Sequence, residues 1–177
     1  AKIVDDILNI ARVHPNEQLG GPSALTLNAN VHRICSEWSA QSACQQQLRL
    51  HLCEPDVMVR FDPEHLRRVL VNLLGNARRY ASPQMGAIQV QTVALDAARA
   101  TVDVWSDGAP LDPSIQSHLF EPFFSSESRS SGLGLYICRE LCEGHQATIR
   151  YQRSERLIGQ TITPGNEFAI TLQRPLL

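Results

Sequence analysis

Two asparagines and an arginine recur at helical spacing within residues 66–80. Asn72 and Asn76 are four residues apart and Arg79 follows three residues later, so a helix would present all three on one face. Amides are poor formers of a helix interior, but a carboxamide oxygen is a suitable Mg²⁺ ligand and an arginine can bind a phosphate. The spacing therefore indicates a site for a metal-bound phosphate compound. The alternative is an ordinary solvated polar face.

Three further segments carry residues that could line the same site. Ser106 and Asp107 precede Gly108 at the end of an alternating strand, where they could bind the edge of a base or simply form a turn. Aromatic residues cluster at 119–124, and they must pack somewhere because their exposure is costly. Small residues at 130–135 open a helix, whose N–H groups can bind an anion, although glycines there can also form a plain turn.

The composition limits the class of protein to which these motifs can belong. The chain has 177 residues, a formal net charge of −2 and 43% hydrophobic residues, which predicts about one folded domain. A slightly acidic chain argues against a dedicated nucleic-acid binder. No apolar run reaches the length of a membrane span, and the first residues do not resemble a signal peptide.

The five cysteines favour reduced thiols over a disulfide framework, because their number is odd and no CxxC occurs. The sharpest alternative is a metal face of Cys138, Cys142 and His145, which one helix would bring together. The same spacing is typical of an apolar helix stripe, since cysteine is among the most buried residue types. We expect a cytosolic setting and a cysteine-lined core.

The elements that must position these residues mix strands and helices without a βαβ repeat. Apolar periodicity predicts helices over 31–44, capped by Asn28 or Asn30, over 63–80 behind an Asp62 cap, and over 132–145. Alternating patterns predict strands at 25–27, 47–53, 57–61, 87–95, 100–106, 147–151 and 167–172, with a polar segment joining the last two. The order predicts an α+β fold: a two-layer sandwich in which a mixed sheet of about five strands is covered by about three helices.

The first 23 residues differ in character from the rest. Residues 1–13 carry a wide apolar helical stripe, which fits either the end of a longer, truncated helix or a terminal helix packed on its own domain. The turn-rich stretch 15–23 has the composition of a linker. We therefore divide the chain into a truncated helix at 1–14, a linker at 15–23 and a domain at 24–177.

Four segments, in this order, resemble the motifs of sensor histidine kinases. The N box is similar to 72–80, a degenerate G1 box to 106–111, the F box to 120–123 and the G2 box to 132–135. The resemblance covers about 24–173 and implies the catalytic ATP-binding domain of the GHKL family, with its Bergerat fold. The run 134–147 is especially similar to sensor kinases of the type IV pilus system. Residues 8–12 resemble the end of the second helix of the dimerisation and phosphotransfer domain.

The resemblance assigns roles to individual residues. It implies that Asn76 binds Mg²⁺, that Arg79 contacts phosphate and that Asn72 lines the same pocket, so these three are the implied catalytic residues. Tyr80 would flank the adenine or ribose, and Phe120 would help to anchor a lid. The implied nucleotide-binding residues are Asn72, Asn76, Arg79, Tyr80, Ser106, Asp107, Gly108, Leu119, Phe120, Ser131, Gly132, Leu133, Gly134 and Leu135.

The chain departs from the family pattern at several positions. Ser106 stands where the family has an adenine-binding aspartate, Pro110 replaces the second glycine of G1, and Ser130 replaces the first glycine of G2. A serine lacks the charge-assisted strength of a carboxylate, so we expect ATP to bind about 1–2 kcal/mol more weakly. Asn72 stands where GHKL ATPases carry a glutamate base, which favours phosphotransfer over hydrolysis.

The resemblance thus implies a protein-histidine kinase that uses ATP and Mg²⁺. Its phosphoryl acceptor would be a histidine on its own dimerisation domain, outside this chain, and the next acceptor would be a response regulator. The fragment would be a cytoplasmic domain of an inner-membrane sensor that forms a homodimer, with no contact to nucleic acid. Two alternatives stay open: a degenerate pseudokinase, which acts as an interaction module with weak nucleotide binding, and a GHKL ATPase.

Overall fold

The computed structural model describes residues 23–124 and 132–176. The predicted helix at 1–14, nearly all of the predicted linker at 15–23, and Ser131 lie outside the described residues. The elements, in chain order, are β1 (Ala24–Thr26), α1 (Leu27–Ser42), β2 (Leu48–His51), β3 (Met58–Arg60), α2 (Pro63–Tyr80), β4 (Ile88–Ala94), β5 (Arg99–Ser106), α3 (Pro113–Gln116), α4 (Gly134–Glu143), β6 (Thr148–Ile158) and β7 (Thr161–Gln173).

A five-stranded mixed sheet forms one layer of the domain. Its strand order is β2-β4-β5-β7-β6, with β2 parallel to β4 and the other neighbours antiparallel. A separate two-stranded antiparallel sheet joins β1 and β3. Helices α1, α2 and α4 form the second layer, and α2 packs against β5, α1 and α4. The predicted α+β sandwich of about five strands and three helices is confirmed.

The core lies between the helices and one face of the sheet. Directly opposed residues of β5 and β7 share this face, so Val102 meets Ile170 and Val104 meets Phe168, and all four side chains are buried. The same alternation carries Ser106 to the helix-covered face at the end of β5. The strand therefore ends with a polar side chain beneath the helix layer.

Helix α2 begins where local sequence signals place it. The Asp62 carboxylate accepts hydrogen bonds from the backbone N–H groups of Glu64 and His65 at 2.9 and 3.0 Å, and Pro63 occupies the first turn, where its missing N–H costs nothing. The buried stripe of this helix consists of Leu66, Val69, Leu70, Leu73, Leu74 and Ala77. Burial of this stripe fixes the rotation of α2 and leaves its asparagines at the edge of the core.

The start of α1 differs from its prediction. The helix begins at Leu27 rather than near residue 31, and neither Asn28 nor Asn30 caps it. The cap comes instead from Asp56, whose carboxylate accepts hydrogen bonds from the backbone N–H groups of Asn28 and Ala29 at 2.7 and 3.2 Å. Because the capping residue belongs to a distant part of the chain, the local pattern could not reveal it.

The segment predicted as a polar connection between the last two strands is itself strand. β6 and β7 form one long hairpin that turns at Gly159, whose φ of +60° suits a tight turn. The hairpin bends over the outer face of the sheet, where the Trp105 indole donates to the Ser154 carbonyl at 3.1 Å. The Gln89 amide donates to the Leu157 carbonyl at 2.8 Å. These tertiary contacts hold as strand a sequence that looks polar enough for a loop, although Leu157 and Ile162 stay exposed.

A charged cluster lies on this outer face. The Arg156 guanidinium donates to the carboxylates of Asp103 at 2.7 Å and Glu167 at 2.6 Å, and all three side chains are largely buried.

Within residues 23–124 and 132–176, no helix is long and apolar enough to cross a membrane.

Candidate functional site

A cavity of about 370 Å³ opens between α2, the end of β5, the middle of β7 and the start of α4. This volume falls in the range of sites for small molecules and cofactors. Nine of the residues predicted for nucleotide binding line the cavity: Asn72, Asn76, Arg79, Tyr80, Ser106, Leu119, Gly132, Gly134 and Leu135. Residues more than 60 positions apart in the sequence are thus brought into one pocket.

Helix α2 contributes one polar side of the cavity. The Asn72 amide donates to the Arg68 carbonyl at 3.0 Å, one helical turn earlier, which fixes the orientation of its side chain. Asn76 lies one turn later, and its side-chain amide makes no hydrogen bond to any other described residue. The Arg79 side chain lies at the exposed rim. The carboxamide of Asn76 is therefore available to a ligand.

The first turn of α4 closes the cavity beside Asn72. A Cβ on Gly134 would lie 3.2 Å from the Asn72 side-chain oxygen, so the helix start approaches this asparagine closely. Leu133 precedes the helix and provides no side-chain cap. Backbone N–H groups in the first turn of a helix attract an anion. The arrangement places an anion-binding element next to the α2 amides.

The opposite end of the cavity lies at the end of β5. Ser106 is directly opposed by Asn166 of β7 in the antiparallel ladder, and both side chains line the cavity. A Cβ on Gly108 would lie 3.5 Å from the Tyr80 Cβ, so the turn after β5 packs against the end of α2. Val104 and Phe168 also line the cavity, and they add apolar surface beside the serine and asparagine.

Four predicted residues lie outside the cavity lining. The Asp107 carboxylate points into the loop after α2, where it accepts hydrogen bonds from the Ser82 backbone N–H at 2.8 Å and the Ser82 hydroxyl at 2.5 Å. Phe120 packs edge-on against Phe168, with ring centroids 6.3 Å apart. Leu133 is fully buried behind α4, and Gly108 adjoins the cavity without lining it. The strand register thus gives the cavity-lining position to Ser106 rather than to Asp107.

Several other residues that line the cavity were not predicted from the sequence. Asn166 and Phe168 come from β7, and Leu111 and Ile115 come from the segment after β5. The available signal was a polar residue two positions before Phe168, on the core face of a strand. It was missed because the strand was predicted to begin only at residue 167.

The cysteine stripe on α4 belongs to the core. Cys138 and Cys142 are fully buried, and burial raises the pKa of Cys142 to about 12 and that of Cys138 well above its ordinary value. A high pKa disfavours the thiolate that a metal needs. The His145 ring nitrogen contacts the ring nitrogen of His65 at 2.8 Å. No group of three potential metal ligands occurs among the residues that the structure describes, so the core interpretation is favoured over the metal face.

The family model and the curated relatives that match this chain agree with each other. The pattern of the histidine kinase-, DNA gyrase B-, and HSP90-like ATPase family matches residues 61–176. Sensor protein kinase PilS of Pseudomonas aeruginosa is 34% identical over 176 residues, which cover 98% of this chain and 31% of the relative. A putative sensor protein of Shewanella frigidimarina is 28% identical over 86% of this chain and 23% of the relative. The chain thus spans less than a third of the length of these relatives.

Solved structures share the fold. The catalytic domain of histidine kinase ThkA superposes with a TM-score of 0.72 at 22% identity, over 88% of this chain and 99% of that domain. Full-length ShkA, in complex with AMPPNP, superposes with a TM-score of 0.71 at 20% identity, over 99% of this chain and 36% of that chain. The resemblance stated from the four motifs is confirmed. The chain belongs to the family of histidine kinase-, DNA gyrase B-, and HSP90-like ATPases, and the curated relatives that it resembles include a sensor protein kinase.

Proposed function

We propose that the cavity binds ATP with Mg²⁺ and that the chain transfers the γ-phosphoryl group to a histidine of a dimerisation domain. The observation that carries the proposal is the position of the free Asn76 amide in the cavity, one helical turn from Asn72, which adjoins the start of α4. A helix start and an arginine at the rim suit the phosphates. An apolar slot at the other end suits a purine ring.

The residues at the phosphate end fit a magnesium ion. Mg²⁺ prefers oxygen ligands and is commonly held by one or two side chains together with substrate phosphates. Asn76 offers such an oxygen, and its amide is not occupied by another described residue. When bound, the ion would neutralise charge on the β- and γ-phosphates.

The chain's own groups perform positioning and charge stabilisation. The loose transition state of phosphoryl transfer needs alignment and positive charge more than covalent chemistry. The α4 N-terminus would orient the phosphates, Arg79 would counter their charge, and Gly134 would let the backbone approach. None of these three groups removes a proton from the acceptor histidine.

Asn72 favours transfer over hydrolysis. An ATPase needs a group that accepts a proton from the attacking water, and a carboxamide is not basic enough to do so. The Asn72 amide is also held by the Arg68 carbonyl. No Asp or Glu lines the cavity among the described residues. We therefore infer that a histidine of the dimerisation domain, rather than water, receives the phosphoryl group.

The wider setting follows the relatives, one of which is a sensor protein kinase and another a putative sensor protein. We propose that residues 1–14 are the end of a dimerisation helix and that 15–23 link it to the catalytic domain. The phosphoryl group would then pass to an aspartate of a response regulator. The longer protein would be a homodimeric inner-membrane sensor with this domain in the cytoplasm.

Calorimetric titration with ATP, in Mg²⁺ and in EDTA, tests the site. Asn76→Ala should weaken binding in Mg²⁺ roughly ten- to a hundredfold, because one contact of about 1.5–3 kcal/mol is lost. The matched control is Asn30→Ala, which removes a helical asparagine of α1 that bonds to the Thr26 carbonyl outside the cavity. The control should bind ATP like the unsubstituted chain.

Three results would contradict the proposal. Absence of detectable binding at millimolar Mg–ATP would favour the pseudokinase, in which the domain acts as an interaction module. Steady ATP turnover by this chain that disappears in Asn72→Ala would favour a hydrolase. Binding that Asn76→Ala leaves unchanged would move the metal site elsewhere.

A further inference from the structure

The two ends of the cavity lie at different positions along α2, and we call them the phosphate end and the base end. Asn72 adjoins Gly134 at one end, and Tyr80 adjoins Gly108 at the other. Eight residues of helix separate Asn72 from Tyr80, which is about 12 Å at 1.5 Å per residue. If ATP binds as proposed above, its phosphates lie at the α4 start, so its purine lies beside Ser106 and Asn166.

Ser106 presents an unbonded hydroxyl to this end. Its side chain is only 5% exposed and lines the cavity. No hydrogen bond links its hydroxyl to another described residue. A hydroxyl can both donate and accept a hydrogen bond, so Ser106 can serve either kind of group on a base.

Asn166 can only donate to a base. Its side-chain oxygen already accepts hydrogen bonds from the Tyr151 hydroxyl and, at 3.1 Å, from the Arg153 guanidinium, which uses both lone pairs. Its NH₂ group donates one hydrogen to the Ala109 carbonyl at 2.9 Å. One N–H therefore remains for a ligand.

Among the described residues, Ser106 and Asn166 have no negatively charged acceptor beside them in the cavity lining. No carboxylate lines the cavity among the described residues. The nearest acid in the sequence, Asp107, is engaged by Ser82 and by the Gln84 amide at 3.2 Å. The polar pair of Ser106 and Asn166 thus offers two donors and one neutral acceptor.

Purines differ in what they present to such a pair. Adenine carries a 6-amino donor, whereas guanine and hypoxanthine carry a 6-oxo acceptor. The Ser106 oxygen can accept from the amine. The Ser106 hydroxyl and the Asn166 N–H can both donate to the oxo group. A carboxylate would repel the oxo group, and none lines the cavity within residues 23–124 and 132–176.

We propose that Ser106 and Asn166 make the site permissive for purines, so that 6-oxopurine nucleoside triphosphates bind with affinity comparable to that of ATP. The inference rests on the proposed function, since it requires a nucleotide in this cavity. It concerns only which base the cavity accepts, and it leaves the phosphate chemistry unchanged.

Titration of the chain with Mg²⁺ complexes of ATP, ITP, GTP and UTP tests this inference. ITP differs from ATP in its base only by the exchange of the 6-amino for a 6-oxo group and the accompanying proton on the ring. We expect the Kd values of ATP and ITP to agree within about tenfold, the range of one neutral hydrogen bond. UTP should bind more weakly because its smaller ring leaves the apolar slot unfilled.

Ser106→Asp supplies the missing acceptor. We expect it to raise the preference for ATP over ITP by about tenfold or more, because a carboxylate accepts strongly from the amine and repels the oxo group. Ser36→Asp on the exposed face of α1 adds the same charge outside the cavity and should leave the preference unchanged. If Ser106→Asp does not fold, the ratio in the unsubstituted chain still decides.

The outcomes separate this inference from the proposed function. The inference predicts that the Kd values of ATP and ITP differ by no more than roughly tenfold. If ATP binds and ITP binds more than about fiftyfold more weakly than ATP, the inference is overturned and the kinase proposal stays intact. UTP binding as tightly as ATP would also overturn it, because the base would then not be read at this pair. If none of the nucleotides binds, both the proposed function and this inference are contradicted.

Discussion

Gly132 and Phe123 lie backbone against backbone at the rim of the cavity. A Cβ on Gly132 would lie 2.5 Å from the Phe123 carbonyl carbon and 2.7 Å from the Phe124 nitrogen. Gly132 also has a φ of +74°, a conformation that side chains rarely adopt. The contact holds the chain that leads into α4 against the chain that leaves the F-box aromatics, so glycine is required there for two independent reasons.

Gly132→Ala should therefore weaken ATP binding by displacing the start of α4. We expect a loss of roughly tenfold or more, since small misplacements of positioning groups are costly. Gly159→Ala is the matched control, because Gly159 has a similar φ of +60° but nothing within 4 Å of an added Cβ. Both variants should lose about 1 kcal/mol of stability from backbone strain, and Gly132→Ala should lose more because its Cβ also meets backbone atoms. Calorimetry should find weakened ATP binding only in Gly132→Ala. Equal ATP affinity in the two variants would contradict this role of the contact.

Removal of the α2 cap should destabilise the helix that carries the site asparagines. Asp62→Ala takes away the acceptor for two backbone N–H groups and should lower the free energy of unfolding by about 1 kcal/mol. Asp62→Asn retains a good capping group and should remain close to the unsubstituted chain. Urea unfolding measures both variants, and an Asp62→Ala midpoint equal to that of Asp62→Asn would show that the cap is dispensable.

Asp103 should make stability fall as the pH rises. Burial raises the pKa of Asp103 from 3.8 to about 6, although a hydrogen bond from Arg156 acts to lower it. A carboxyl whose pKa is raised on folding stabilises the fold while it is protonated, and that contribution is lost as the pH passes through the folded-state pKa. Relative to Asp103→Asn, the unsubstituted chain should lose on the order of 2 kcal/mol between pH 4.5 and pH 7.5.

The control for this pH effect is Asp96→Asn. Asp96 is exposed, and a hydrogen bond from Arg99 holds its pKa below the ordinary 3.8. The contribution of Asp96 is therefore fully present above about pH 4, so this variant should show no relative change over the same interval. Urea unfolding at the two pH values measures the difference, and parallel behaviour of the two variants would refute the role of Asp103.

Gly165→Ala and Gly75→Ala should change the free energy of unfolding in opposite directions. A Cβ on Gly165 would lie 2.3 Å from the Ser106 carbonyl oxygen and 2.4 Å from the Trp105 ring, so Gly165→Ala should cost about 1–3 kcal/mol through overpacking. Gly75 lies inside α2 with nothing within 4 Å, so Gly75→Ala should gain about 1 kcal/mol from helix propensity. Thermal or urea unfolding compares them, and a loss in both would contradict the open space at Gly75.

The sequence predicted the elements whose signals are local. The extent of α2 was correct because the Asp62 cap and the apolar stripe lie within the helix itself or directly before it. The start of α1 was wrong because its cap comes from Asp56, far along the chain. The length of the β6–β7 hairpin was underestimated because Trp105 and the Arg156 cluster tie the hairpin to the sheet through contacts that a local sequence pattern does not show.

The same distinction applies to the site. The proximity of Asn72, Asn76 and Arg79 followed from helical spacing alone, and all three line one cavity. Asn166 was missed because its position depends on the pairing of β5 with β7. The choice between Ser106 and Asp107 also depended on strand register, which a single sequence does not determine.

Direct opposition of Ser106 and Asn166 in the ladder has a consequence for protein engineering. Each side chain is the other's cross-strand neighbour, so substitutions at the two positions are expected to be non-additive. A mutant library that randomises one position in a fixed background would miss combinations in which the second residue compensates. Selection for a new nucleotide preference should therefore diversify both codons together.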